Sequence, residues 1–238
     1  NLGEIPGNNL DDDNNGFIDD VHGYDFFDMD PSPTDDMGHG THVAGIIAAG
    51  KNNSTGIAGA APGVSLMALD IFPQFGGAPT DVIVAAIKYA ADNGAQVVNM
   101  SFGGSVFDPA MYEAIAAHPD VLFVAAAGNS TSDNDVTEVS PAGFTIDWYI
   151  DLDGDSATPK IKFPALPHIM SVAALSPVNG VLADFSSYGA HSVDLAAPGE
   201  SIFSTFPPFN PGAAIAVDNG TYQTMFWGFG AEDLYYTA

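Results

Sequence analysis

The first side chain whose type and position suggest chemistry is His39. It lies in the string GHGTHVAG at residues 38–45, which leads into an apolar run that ends at Gly50. Because this run is apolar on nearly every side, it predicts a buried helix with Gly50 as its C-cap. An imidazole titrates near neutral pH, so a rigidly held His39 could take and return a proton. A histidine before a helix is more often structural, and this residue alone leaves both interpretations open.

An acidic loop at residues 8–22 offers a different chemistry. Its oxygen-bearing residues alternate in the register of a calcium-binding loop, and Gly16 stands where such a loop turns sharply. The predicted calcium ligands are the carbonyl oxygen of Phe17 and the side chains of Asp11, Asp13, Asn15 and Asp19. The position that usually holds a bidentate Glu is His22, so Asp20 or a more distant carboxylate would complete the site. A solvated loop without an ion is the alternative interpretation.

The elements that must position these residues alternate between strands and helices. Short apolar runs predict strands at residues 64–72, 97–100, 121–126, 169–174 and 193–196. Helical spacing of apolar residues predicts a helix from the N-cap Thr80 to Gly94, and Asp108 followed by Pro109 predicts another to about Ala117. This alternation implies crossover units, a largely parallel sheet and an α/β fold.

Nothing in the chain marks a domain boundary. There is no repeat and no convincing linker, so we predict one domain over residues 1–238. Residues 130–162 have poor periodicity and many aspartates, and they are interpreted as an irregular insertion at the surface, with short strands at most. Within the insertion, Asp151, Asp153 and Asp155 could form a second calcium site.

Composition restricts the class of protein. The chain has 30 acidic and 4 basic residues, and its net charge of -26 repels nucleic acid and anionic membranes. Hydrophobic residues make up 46% of the chain, enough for a sizeable core, but no apolar run approaches the ~20 residues that cross a bilayer. There is no cysteine for disulfides or thiol chemistry. We therefore expect a soluble globular protein with no nucleic-acid partner and no membrane span.

Several segments, taken in order, resemble the subtilisin-like serine proteases. After the string at residues 38–45 these are NMSFGG at 99–104, AAAGN at 125–129, FPA at 163–165, MSVAA at 170–174, FSSYG at 185–189 and DLAAPG at 194–199. The resemblance covers nearly all of residues 20–225. It implies a three-layer, doubly wound fold with a mostly parallel sheet. It also implies a serine-type endopeptidase that hydrolyses peptide bonds through a Ser-His-Asp triad.

The resemblance assigns roles to individual residues. His39 corresponds to the general base, whereas His42, one turn later, is expected to pack within the fold. Asn129 corresponds to the donor that stabilises the oxyanion, and loss of such a donor costs ~2.7–4 kcal/mol. An extended polypeptide substrate would pair with a strand formed by Ser101, Phe102, Gly103 and Gly104. The pocket for the residue before the cut would be lined by Ala126, Ala127 and Gly128. Structural calcium and secretion are further implications of the resemblance.

The resemblance fails where the triad aspartate is expected. The family has an Asp-Thr/Ser-Gly motif on the first strand, and no such motif precedes His39. Asp25, Asp35 and Asp36 lie at positions that the family uses for loops. None of the three is therefore a convincing partner for the histidine.

It fails again where the nucleophile is expected. The nucleophile should follow residues 222–225, but its position holds Phe229, and the tail at 226–238 resembles nothing in the family. A one-base shift of the codons for residues 226–229 could encode Ser-Gly-Ala-Ser. We therefore expect a catalytic domain truncated at both ends and inactive as it stands. A peptide-binding pseudoprotease and a calcium-dependent structural module are the alternatives.

Overall fold

The computed structural model describes residues 1, 3–73, 75–151 and 158–207. The described part of the chain divides into two compact units, one that contains residues 3–73 and 201–207 and the other residues 75–151 and 158–200. The assignment of a single domain over residues 1–238 stays a prediction. The nucleophile position, the tail, and two of the three aspartates of the second calcium pattern lie outside the described residues.

The first unit pairs two short parallel strands, β1 (Gly23–Asp25) and β2 (Ala68–Asp70). Gly23 has a φ of 128°, and an added Cβ would lie 1.8 Å from the carbonyl oxygen of Ala68, so only glycine fits there. Strand β2 is much shorter than the strand predicted at residues 64–72. Val64 and Leu66 are exposed, which shows that the first half of the predicted strand is not buried.

Helix α1 (His39–Ala48) begins at the candidate base. It ends one residue earlier than predicted, because Ala49 rather than Gly50 is the C-cap. Only His42 and Gly45 are buried, and the other helical residues are half-buried or exposed, so the prediction of a helix buried on all sides is wrong.

The second unit contains a parallel four-stranded sheet in the order β3-β4-β7-β8. Its strands are β3 (Val97–Met100), β4 (Leu122–Ala126), β7 (Ile169–Leu175) and β8 (Leu195–Pro198). Each lies within two residues of a predicted strand. The prediction of an α/β fold with a mostly parallel sheet is confirmed.

Two helices accompany this sheet, α2 (Thr80–Asp92) and α3 (Pro109–Ala116). Asp108 caps α3 as predicted, since its carboxylate accepts hydrogen bonds from the backbone N–H groups of Ala110 and Met111. Thr80 is the first helical residue of α2 rather than its N-cap, and its hydroxyl donates to the Asp108 carboxylate at 2.6 Å.

The region predicted to be a surface insertion is partly core. It holds a 3-10 helix (Ala142–Thr145) and an antiparallel hairpin of β5 (Trp148–Ile150) and β6 (Ile161–Phe163). Phe144 is fully buried and packs edge-on against the rings of Phe107 and Tyr112. Aromatic residues of the insertion therefore help to hold α3, and only the short strands of the expectation are confirmed.

Among the helices in the described part of the chain, none combines the length and apolarity of a membrane-spanning segment.

Candidate functional site

His39 is held at the first residue of α1 by a carboxylate that caps the helix. The side chain of Asp35 accepts hydrogen bonds from the backbone N–H groups of Met37, Gly38 and Thr41. Burial alone would raise the pKa of Asp35, but these hydrogen bonds outweigh burial and hold the pKa below its usual range. Asp35 therefore anchors the backbone around the histidine as an ionised cap.

Residues 202–206 lie against α1 and form hydrogen bonds with its backbone. The hydroxyls of Ser204 and Thr205 donate to the carbonyl oxygens of His42 and Thr41, at 2.5 and 2.7 Å. A Cβ on Gly45 would lie 2.1 Å from the Thr205 hydroxyl, so the close approach requires glycine. These contacts join residues far apart in sequence and keep the helix of the candidate base in place.

His42 lies within the fold, as predicted. It is 5% exposed, and its Nε2 lies 3.3 Å from the carbonyl oxygen of Ile202, which can only accept a hydrogen bond. Burial lowers the pKa of His42, and the hydrogen bond to Ile202 opposes that effect. A buried imidazole with a lowered pKa is neutral at physiological pH, which suits a structural role.

Two of the three aspartates considered as partners for the histidine, Asp25 and Asp35, have other contacts. Asp25 accepts hydrogen bonds from the backbone of Phe27 and Asp28.

Sequence analysis missed another aspartate of the first unit, Asp70, which lies at the end of β2 in register with Asp25. Burial, together with the negative charges of Asp25, Asp35 and Asp36, raises the pKa of Asp70 to about 6 against a hydrogen bond from Phe72. Its position inside an apolar run gave no sign of this.

The candidate oxyanion donor lies just beyond the end of β4. Ala127 donates its N–H to the carbonyl oxygen of Val172, and its own carbonyl oxygen accepts a hydrogen bond from the side chain of Asn134 at 2.8 Å. Gly128 follows with a φ of 111°, a conformation that favours glycine. The side-chain amide nitrogen of Asn129 is enclosed, and no described residue accepts a hydrogen bond from it.

The loop of Asn129 is bound along its length by a distant segment. We call this the clasp: residues 184–188 bound to residues 128–134. In it, Thr131 donates its N–H to the carbonyl oxygen of Phe185, and Tyr188 donates its N–H to the carbonyl oxygen of Ser132. The clasp therefore fixes the loop with neutral groups.

The candidate substrate strand leaves the sheet beside this loop. β3 and β4 are adjacent and parallel, with Met100 in register with Ala125, so residues 101–104 and 126–129 emerge at the same edge. Gly104 exchanges two backbone hydrogen bonds with Ser140, at 2.8 and 3.0 Å. The backbone of Gly103 makes no hydrogen bond to any described residue. The structure thus brings the predicted substrate and pocket segments together, while His39 belongs to the other unit.

The acidic loop collects a different set of carboxylates from the predicted one. Oxygens of Glu4, Asp13 and Asp20 lie within 4.8 Å of one another, and Glu4 and Asp20 are buried. Asp13 is the only predicted ligand among them. Asp20 was the proposed completing carboxylate, and Glu4 was missed because it lies outside residues 8–22.

The other predicted ligands bind the loop's own backbone or side chains. Asp11 accepts from the N–H groups of Asn15 and Gly16, and Asp19 accepts from those of Gly7, Asn8 and Asn9. The Asn15 side chain donates to Asp20 at 2.8 Å, and its carbonyl oxygen accepts from the N–H of Phe17. The Phe17 ring packs edge-on against Tyr24. These residues shape the loop around the three clustered carboxylates.

Comparison with known proteins is specific. The chain matches the model of the subtilase family over residues 6–226. It is 37% identical over 189 residues to thermitase of Thermoactinomyces vulgaris, covering 79% of this chain and 58% of thermitase. It is 37% identical over 190 residues to subtilisin DY of Bacillus licheniformis, covering 79% of this chain and 60% of that protein.

Solved structures agree with the sequence comparison. Sphericase matches with a TM-score of 0.59 and 33% identity, over 76% of this chain and 60% of that chain. The chain belongs to the subtilase family, a family of serine proteases. It spans 58% of the length of thermitase and 40% of that of the thermophilic serine proteinase of a Bacillus strain.

Proposed function

We propose that this chain provides the peptide-binding and oxyanion-binding parts of a serine endopeptidase. The observation that carries the proposal is the enclosed, unpartnered amide nitrogen of Asn129, beside the glycine strand at the same edge of the sheet. An extended polypeptide would pair with the backbone of Gly103, and the carbonyl oxygen at the scissile bond would accept from Asn129. Residues 126–128 would line the pocket for the side chain before the cut.

His39 is the proposed general base. In acyl transfer it would remove the proton of the attacking hydroxyl and return it to the leaving amine. The Asp35 cap and residues 202–206 hold the first turn of α1 in place. The Cα of His39, from which the imidazole extends, is therefore fixed in position. No described residue is proposed as nucleophile, and the family's triad aspartate has no counterpart among Asp25, Asp35 and Asp36.

Binding of extended peptides tests the proposed peptide site, and a fluorophosphonate probe, which reacts with an activated serine, tests whether the chain also carries a nucleophile. The full chain is treated with the probe, digested and examined by mass spectrometry, with a His39→Ala variant as control. Labelling of one serine that depends on His39 would establish the endopeptidase. Absence of labelling, combined with measurable binding of extended peptides, would instead establish a peptide-binding pseudoprotease. Absence of both would favour a calcium-dependent structural module.

The carboxylates of Glu4, Asp13 and Asp20 are proposed to hold a calcium ion. Three carboxylates with oxygens within 4.8 Å repel one another, and residues 1–22 contain no Lys or Arg to offset their charge. An all-oxygen donor set with two buried carboxylates fits the preference of calcium. The ion would supply the positive charge that ties residues 4, 13 and 20 together.

Polypeptides are the proposed substrates, and action outside the cell is the proposed location. Family membership supports both, and one relative at 35% identity is a cell wall-associated protease of Bacillus subtilis. The strong negative charge of the chain as a whole favours substrates other than acidic ones, because like charges repel.

A further inference from the structure

We infer that Ser187 is a positioning residue for Asn129, and this inference rests on the oxyanion role proposed above. Ser187 binds both chain neighbours of Asn129. Its backbone N–H donates to the carbonyl oxygen of Gly128 at 2.8 Å, and its hydroxyl oxygen accepts from the N–H of Ser130 at 3.3 Å. One residue of a distant segment therefore holds the chain on either side of the candidate donor.

The two contacts restrain the backbone of Asn129 in a specific way. The Gly128 carbonyl belongs to the peptide plane before Asn129, and the Ser130 N–H belongs to the plane after it. Since peptide groups are planar, fixing both planes fixes φ and ψ between them. The direction of the Asn129 side chain from its Cα is then set without any contact to its amide nitrogen, which has no acceptor among the described residues.

Ser187 is itself rigid enough to act as a reference point. It is 2% exposed, and its carbonyl oxygen accepts from the hydroxyl of Ser186 at 3.0 Å. The Ser186 hydroxyl in turn accepts from the N–H of Ala174, in β7, at 3.0 Å. The residue that restrains Asn129 is therefore itself attached by hydrogen bonds to strand β7 of the parallel sheet.

The position and direction of an oxyanion donor determine whether it can stabilise the developing charge. An oxyanion donor acts only when it lies about 2.7–3.1 Å from the position of the developing charge. A Ser187→Ala substitution keeps the backbone N–H that binds Gly128 but removes the acceptor for Ser130. The peptide plane after Asn129 then loses its partner, and the side-chain amide samples a wider range of directions.

The test follows the Asn129 side-chain amide by NMR in the uniformly ¹⁵N-labelled full chain. Its resonances are assigned by their loss in an Asn129→Asp variant. Ser187→Ala is expected to shift and broaden them, and to speed exchange of the Ser130 amide hydrogen by roughly tenfold, because that hydrogen loses its acceptor. Ser187→Thr, which retains the hydroxyl, is expected to restore both.

The matched control is Ser192→Ala. Ser192 is also a buried serine of the second unit, but its hydroxyl donates to Asp135 at 2.8 Å and forms no hydrogen bond with residues 128–130. It should lower the melting temperature without altering the Asn129 resonances. Unchanged Asn129 resonances in Ser187→Ala, or equal changes in Ser192→Ala, would overturn the inference.

Turnover adds a second readout that separates the two proposals. If the protein hydrolyses peptides, Ser187→Ala should lower kcat roughly tenfold with KM unchanged, less than the loss of a whole donor. An effect confined to KM, or one equalled by Ser192→Ala, contradicts a positioning role. If no variant hydrolyses peptides, the proposed function fails, whereas the NMR result still decides whether Ser187 orients Asn129.

Discussion

The clasp and the acidic loop are two irregular regions that are stabilised in opposite ways. The clasp joins residues 128–134 to 184–188 through backbone groups and hydroxyls, none of which carries a charge. The acidic loop instead satisfies its backbone N–H groups with carboxylates such as Glu4, Asp11 and Asp19. Carboxylates are strong acceptors, but gathering them adds repulsion that neutral acceptors do not have. The comparison predicts that calcium affects the acidic loop and leaves the clasp unchanged.

Calcium should have the largest effect, and only on the acidic loop. At a free concentration 100 times its dissociation constant, one bound ion adds about 2.7 kcal/mol to the free energy of unfolding. The melting temperature should then rise by roughly 5–10 °C relative to protein in a chelator. Hydrogen exchange read by mass spectrometry should slow in residues 3–22 but not in residues 128–134. Equal protection of both regions, or none, would contradict the proposed site.

The loop that the clasp holds should be destabilised by removing one neutral donor within it. Asn134 is 1% exposed and its side chain donates to the carbonyl oxygen of Ala127, so Asn134→Leu leaves a buried acceptor unpaired. The expected loss is about 1–3 kcal/mol in the free energy of unfolding, measured by denaturant titration. The same loss should appear with calcium and with chelator. A loss that depends on calcium would show that the two regions are coupled.

The sequence was informative wherever the relevant contacts are local or periodic. Strands β3, β4, β7 and β8 were predicted within two residues, because short apolar runs between turn signals indicate strands. The Asp108 cap was predicted for the same reason, since its partners are the next two N–H groups of the helix. Local chemistry of this kind is visible in a single sequence.

Contacts between distant residues could not be predicted. Ser187 and Ser130 are 57 positions apart, and Glu4 joins Asp20 from outside the recognised loop. Phe144 was predicted to lie in a surface insertion, but it is fully buried against Tyr112 of α3. The roles of His39 and Asn129 came from resemblance to a family, and they remain predictions in this chain. The periodicity of apolar residues shows which face of an element is buried, but it does not show which distant residues the fold brings into contact.

A single charge within the acidic loop should control the calcium effect. Asp13 is exposed and belongs to the carboxylate cluster, so Asp13→Asn should reduce the calcium-induced rise in melting temperature by at least about half. Asp28→Asn removes an exposed charge outside the cluster and is the matched control. In chelator both variants should unfold within about 1 kcal/mol of the unmodified chain. Full retention of the calcium response in Asp13→Asn would exclude that residue as a ligand.

The smallest effect should be a pH dependence at Asp70, in the same unit as the acidic loop. Burial and neighbouring aspartates raise its pKa to about 6 in the folded protein, above its value in an unfolded chain. Its contribution to stability is therefore fully present below about pH 3.9 and is lost as pH rises through about 6. Asp70→Asn keeps an oxygen acceptor for the N–H of Phe72 but cannot ionise.

Melting temperatures of this variant and of the unmodified chain, measured from pH 4 to pH 8 in chelator, isolate the effect. The variant should become the more stable of the two as pH rises past about 6, because the unmodified chain must then carry a partly buried charge beside Asp25. Asn134→Leu serves as the reference from the clasp, and its difference from the unmodified chain should stay constant over the same range. A constant difference for Asp70→Asn as well would mean that this carboxyl does not titrate in the range assigned to it.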